Sequence, residues 1–202
     1  MTPVFPLSSS SFGDYQRYLS ALAGNTAYVP TGDQEILITE TLTANQSSVT
    51  FSSLDTIASA FQNLQIRITG RSNRAADNSE FDLRFNSDTG TNYTWHYMRS
   101  TGSATESGGS SSIDSVRVYQ SLTAASSTAN SFGVTVIDIL DPFETTKNTT
   151  IRAITGFQGS LNRVLMETGS WLNANAVTSI SLTEYYGSNF ISGSTFSLIG
   201  VK

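Results

Sequence analysis

The sequence predicts an all-β protein: an antiparallel two-sheet β-sandwich, jelly-roll-like, preceded by an N-terminal arm with a short helix. Three observations predict it. Apolar residues recur at every second position in short segments from residue 35 onward, turns rich in Asn, Ser and Gly separate those segments, and helical periodicity is nearly absent after residue 32. Eleven such segments do not easily remain one flat open sheet, so they fold over into two layers, most simply as a jelly roll.

The pattern is clearest in FQNLQIRITGRSNRAADNSEFDLRFNSDTGTNYTWHYM, residues 61–98. Leu64, Ile66 and Ile68 take one face while Gln65, Arg67 and Thr69 take the other, and Phe81, Leu83 and Phe85 repeat this against Asp82 and Arg84. One face is expected to be dry and the other wet. In chain order the expected strands are 35–42, 48–52, 64–70, 81–86, 94–99, 114–120, 132–140, 148–157, 164–171, 177–183 and 194–201, with a helical turn at 56–61. TGSATESGGSSS, 101–112, holds one alanine and no other apolar residue, and reads as an exposed mobile spacer. Between strands, Asn86 and Asp88 bond to their own backbone in a tight turn where Gly90 is expected to supply a positive φ.

Residues 1–32 read differently from the sandwich domain, 33–202. Early prolines and a serine run make an extended arm, followed by a helix at 12–22 that Gly24 and Asn25 would end. Eleven residues are marginal as an isolated helix. This one therefore needs a surface, either its own sheet or a neighbouring subunit, and Phe5, Phe12, Tyr15, Tyr18 and Leu19 are the residues expected to dock.

Composition narrows the partners. Charged residues are 13% of the 202, about half the ~25% of ordinary soluble domains. Ser, Thr, Asn and Gly replace them, and short polar side chains lose little rotamer freedom when packed, so the surface suits burial in an assembly. A net charge of -5 argues against nucleic acid and against an anionic membrane surface. Arg67, Arg71, Arg74 and Arg84 alternate with Asp77, Glu80, Asp82 and Asp88, which reads as a mixed, solvated sheet face. Zero cysteines remove disulfides and thiolate metal sites. With no run of ~18 apolar residues and no basic-then-apolar leader, no membrane insertion is expected, and synthesis in a cytoplasm is.

No residue set calls for catalysis, a cofactor or a metal, so the expected protein is not an enzyme. His96, the one histidine, lies in a strand without a nucleophile elbow elsewhere to serve, and reads as structural. Asp138, Asp141 and Glu144 fall close enough to suggest paired carboxylates, but Pro142 marks the end of a strand there. Asn86, Asp88 and Gly90 form an incomplete calcium loop, lacking the terminal glutamate. Tyr93, Trp95, Tyr97, Trp171, Tyr185 and Tyr186 are the aromatics that could stack on a sugar ring, and the stripe of Trp95 and Tyr97, with Tyr93 beside it, reads as core. Tyr185 and Tyr186, in EYYGSN, are expected to be exposed and are the candidate glycan contacts.

The ordered series VTFSSL, NLQIRITGRSNR, LRFNSDTGTNYTWHY, FGVTVIDILD, TGSWLNANAVTSISLT and STFSLIGVK, spanning about 49–202, resembles structural proteins of tailed-bacteriophage virions. The resemblance implies a jelly-roll-like component, either a capsid decoration or cement protein or part of a head or tail fibre. It brings no catalytic residues. The expected partners are further copies of the chain, a homotrimer first, together with the major capsid protein or other virion proteins. The expected location is the virion, after synthesis in the bacterial cytoplasm. The alternative is a glycan-binding host-recognition module that meets a host surface glycan through Tyr185 and Tyr186.

Overall fold

A computed structural model describes residues 33–158 and 162–202. Among the described residues twelve strands run in chain order: β1 (Gln34–Thr41), β2 (Ser48–Phe51), β3 (Asn63–Gly70), β4 (Asn78–Phe85), β5 (Tyr93–Ser100), β6 (Thr105–Ile113), β7 (Val116–Thr123), β8 (Gly133–Leu140), β9 (Thr149–Phe157), β10 (Arg163–Trp171), β11 (Ile180–Glu184) and β12 (Thr195–Val201). One helical turn, α1 (Leu54–Ile57), links β2 to β3.

The strands form two antiparallel sheets, ordered β1-β12-β3-β8-β9-β10-β5-β6 and β2-β11-β4-β7. Within that order the pairs β1·β12, β2·β11, β3·β8 and β4·β7 are nested, first with last and inward. Such nesting is what a long antiparallel ribbon gives when it rolls up, which makes the core of the fold a jelly roll. Two hairpins, β5–β6 and β9–β10, are inserted into it and widen only the long sheet. The short sheet ends at β7, which lies over β8, β9, β10 and β5. Strand β6 therefore extends past the cover and is exposed on both faces along most of its length.

Alternation puts Leu64, Ile66 and Ile68 opposite Phe81, Leu83 and Phe85 in one continuous core, each 2% exposed or less. Burying a side chain of this size stabilises by roughly 1.5–3 kcal/mol. Strands β8, β9 and β10 contribute Ile137, Ile139, Ile151, Ala153 and Trp171 to the same cluster.

The structure corrects four expectations. Residues 105–113 are a strand rather than a spacer, paired along their length with β5. Gly108 and Gly109 are covered by their cross-strand neighbours, since an added Cβ would stand 2.8 Å from the Tyr97 ring and 2.4 Å from that of His96. The helical turn begins at Leu54, just after a left-handed Ser53. In the turn after β4 the positive φ belongs to Asn86 and Ser87, while a Cβ at Gly90 would meet only the ends of the Asn92 and Asp88 side chains, at 2.7 Å and 3.0 Å. Finally, the arginine-rich stretch is solvated only in part: Arg67 is exposed, but Glu80 and Asp82 are buried, and so is Arg71, whose guanidinium donates to the Thr128 (2.8 Å), Ser131 (2.7 Å) and Ser127 (3.2 Å) carbonyls and so fastens the β7–β8 connection.

Candidate functional site

The polar and aromatic groups of the molecule concentrate where the β7 edge meets the inner face of β5. The ladder between β4 and β7 steps from Ser79↔Leu122 to Phe81↔Val118, so Tyr119, Gln120 and Ser121 face Glu80 alone. This is a bulge, with Gln120 at φ 44. Its free N–H groups are taken by carboxylates, Tyr119 N donating to Glu167 Oε1 of β10 (2.7 Å) and Gln120 N to Glu80 Oε2 (3.3 Å).

Beside the bulge, Trp95, Tyr97 and Tyr119 stack with centroids 4.4–6.0 Å apart. The Arg99 guanidinium lies 5.5 Å from the Tyr119 ring and donates to Gln120 Oε1 and Glu106. Arg117 pairs with Glu80 and Asp82 and lies over the Tyr185 ring at 3.4 Å; Arg74 lies over Tyr186 at the same distance. Tyr185 and Tyr186 are 38% and 46% exposed, as expected, but each has a guanidinium on one ring face, leaving less of the ring open to a sugar.

Of the other residues singled out from the sequence, Phe5, Phe12, Tyr15, Tyr18 and Leu19 lie outside the described residues. Tyr93, Trp95 and Trp171 are in the core, and Tyr97 packs half-buried against it. His96 is exposed on the outer face of β5. Asp138 accepts from Gln65 (2.8 Å) and Arg152 (2.7 Å), and Asp141 accepts from Lys147 (2.6 Å). Asp88 accepts from the Trp171 indole (2.7 Å), Asn92 (2.9 Å) and the Gly90 N–H (2.8 Å), bonds that hold its carboxyl below the usual range. These carboxylates are therefore engaged in holding turns and ladders.

Sequence reasoning missed the buried acids Glu80, Glu167 and Glu184, each 4% exposed or less. For Glu167 a signal was present: it shares the inward phase of Leu165 and Trp171. Burial pushes its carboxyl well above the ordinary range, against the Tyr119 N–H and reinforced by Glu80. Burial likewise raises Glu80, with Gln120 and Arg117 opposing, and Asp82, with Arg117 opposing.

The sign of the pH dependence follows. Groups with raised folded-state values contribute stability that is complete below their unfolded pKa of roughly 4 and is lost as pH climbs through the folded values. Asp88, Asp138 and Asp141 run the other way and withdraw stability as pH falls below about 4. Maximum stability is thus expected near pH 4–5. Melting curves at pH 5 and pH 8 should show the wild type losing Tm at the higher pH, and Glu167→Gln should reduce that loss by removing the acid whose carboxyl burial pushes up furthest. A variant that melts lower at both pH values would show that the charge on Glu167 is needed.

No family model matches the chain, and no curated protein matches it. Among solved structures, alginate lyase vAL-1 from Chlorella virus is similar at a TM-score of 0.29 with 8% identity, across 92% of this chain and 97% of that one. The CBM2 module of the evolved Dit of Lactobacillus casei BL23 phage J-1 is similar at 0.16 with 11% identity, across 90% and 86%. Overlaps this loose transfer neither fold nor activity, and the β-sandwich rests on the strand pairing itself.

Proposed function

We propose that the chain is a structural protein of a tailed-bacteriophage particle, either a capsid decoration or cement protein or a head- or tail-fibre component. It is held there as a homo-oligomer against the major capsid protein or another virion protein. The observation that carries this reading is the outer face of the long sheet, where Met98, Val134, Ile154, Val164 and Met166 are each at least 50% exposed and no described element covers them. A broad apolar face on a low-charge sandwich is the surface of a protein built to be packed against others. The sequence resemblance to virion proteins supports the same assignment.

On this reading the protein performs no reaction. Glu80, Glu167 and Glu184 are almost wholly buried and bonded to backbone N–H groups, so they serve the fold. Mass spectrometry of purified particles is expected to find the chain at high copy; its absence from the particle would end the proposal. Removing residues 1–32 is expected to leave the circular dichroism of the sandwich intact, because β1 is secured by its ladder to β12, while attachment to the particle is lost. Retained attachment would mean that the sandwich faces alone hold it.

A further inference from the structure

The register of the long sheet makes its outer face self-complementary. One outward row runs Val136, Ile154, Met166, Met98 across β8, β9, β10 and β5. The row beside it runs Val134, Gly156, Val164 across β8, β9 and β10. Gly156 therefore makes a dent between two valines, and next to it along β9 stands Ile154, 51% exposed. A Cβ placed on Gly156 would have nothing nearer than the Arg163 carbonyl at 3.8 Å, so the dent is open.

We propose that this face is the contact between two copies of the chain, packed face to face with each Ile154 seated in the partner's Gly156 dent. A two-fold axis lying in the interface, perpendicular to the strands and midway between the rows, lays the first row of one copy on the second row of the other. The same operation repeats the contact in reverse, as an isologous interface requires. It also sets Met166 on the partner's Val164 and Val136 on the partner's Val134. Stacked sheets cross at about −30°, so the match is best at the centre, and the Ile154–Gly156 contact is near the centre.

Charge does not oppose a second copy as the occupant. The row beyond Ile154 holds Asp138, Arg152, Thr168 and His96, and moves to the rim. Asp138 there is already bonded to Gln65 and Arg152 and asks nothing of a partner. The rows cross four strands, and four strands spaced about 4.8 Å with six residues rising about 3.3 Å each give a footprint of roughly 400 Å² per copy. The total of about 800 Å² is below that of standard stable interfaces, so the contact is expected to be a weak one. This inference deepens the homo-oligomer of the proposed function, but mass in solution tests it without reference to a particle, so the two can fail separately.

The experiment is light scattering on the full chain at about 100 µM, a concentration that fills a micromolar contact. The wild type is expected to have twice the 21.7 kDa chain mass. Gly156→Val, which fills the dent without a clash inside its own copy, and Ile154→Gly, which removes the knob, should each give monomer. Both should retain the wild-type circular dichroism, which shows that the fold survives. Combining Ile154→Gly with Gly156→Ile exchanges knob and dent on both copies and should restore the dimer. A monomeric wild type, an assembly whose mass neither single change alters, or a double variant that stays monomeric would overturn the proposal.

Discussion

Trp171→Ala is expected to lower stability by about 4 kcal/mol, within the 3–5 kcal/mol typical of emptying a buried large aromatic site. The indole is 1% exposed at the end of β10, with its ring centroid 5.5 Å from that of Phe85 and 6.4 Å from that of Tyr93. Removing it leaves a cavity between the two sheets where three aromatic rings meet. The second loss is polar, because the indole N–H donates to Asp88, which also collects Asn92 and Gly90 and thereby organises the β4–β5 turn. Asp88 is partly accessible, so water replaces much of that bond, and the cavity dominates. For a chain of this length the change corresponds to a fall in Tm of about 8–16 °C. Trp171→Phe keeps most of the ring volume and gives up the donor, so it should lose only about 1–2 kcal/mol. Equal losses for the two variants would assign the role of Trp171 to the hydrogen bond. Urea denaturation followed by circular dichroism separates these outcomes.

What the sequence revealed follows how each strand is stabilised. β3 and β4 were legible because their stability comes from their own side chains: Leu64, Ile66 and Ile68 face Phe81, Leu83 and Phe85 across a dry interior, and period two records that directly. β6 carries no such record. Its backbone is fixed by β5, and the rings over Gly108 and Gly109 belong to Tyr97 and His96 of that neighbour. β7 was placed at 114–120 but runs Val116–Thr123, because the bulge at Gln120 shifts the alternation partway along the strand. The candidate site was hidden for a similar reason. The charges of RSNRAADNSEFD look like a solvated run until the fold brings Glu184 against Ser72 and Ser79, and the Thr128 and Ser131 carbonyls against Arg71. Tyr185 and Tyr186 were expected to be exposed and are, yet nothing local announces the arginines that cover one face of each ring.

Glu184→Ala should cost about 2–4 kcal/mol, because it strips two fully buried hydroxyls of their acceptor at roughly 1–3 kcal/mol each. The side chain is 2% exposed and receives four donors: the Ser72 hydroxyl (3.0 Å), the Ser79 hydroxyl, and the N–H groups of Tyr186 (2.9 Å) and Ser188 (2.8 Å). Both serines are fully buried, so with the carboxylate gone their hydroxyls lose this acceptor in a place water does not reach. The two turn N–H groups lie near the surface and rehydrate, which keeps the loss toward the lower end of that range. They do so by loosening the turn after β11, where Gly187 sits at φ 74. Tyr185 and Tyr186 then leave their seats on Arg117 and Arg74, so the effect reaches past stability to the shape of this corner of the molecule. Amide hydrogen exchange reads that step directly: protection at Tyr186 and Ser188 should vanish while β3 and β8, in the other sheet, keep theirs. Uniform loss across both sheets would mean that Glu184 supports the whole sandwich, and unchanged protection at the two amides would mean that the turn is held by its own backbone.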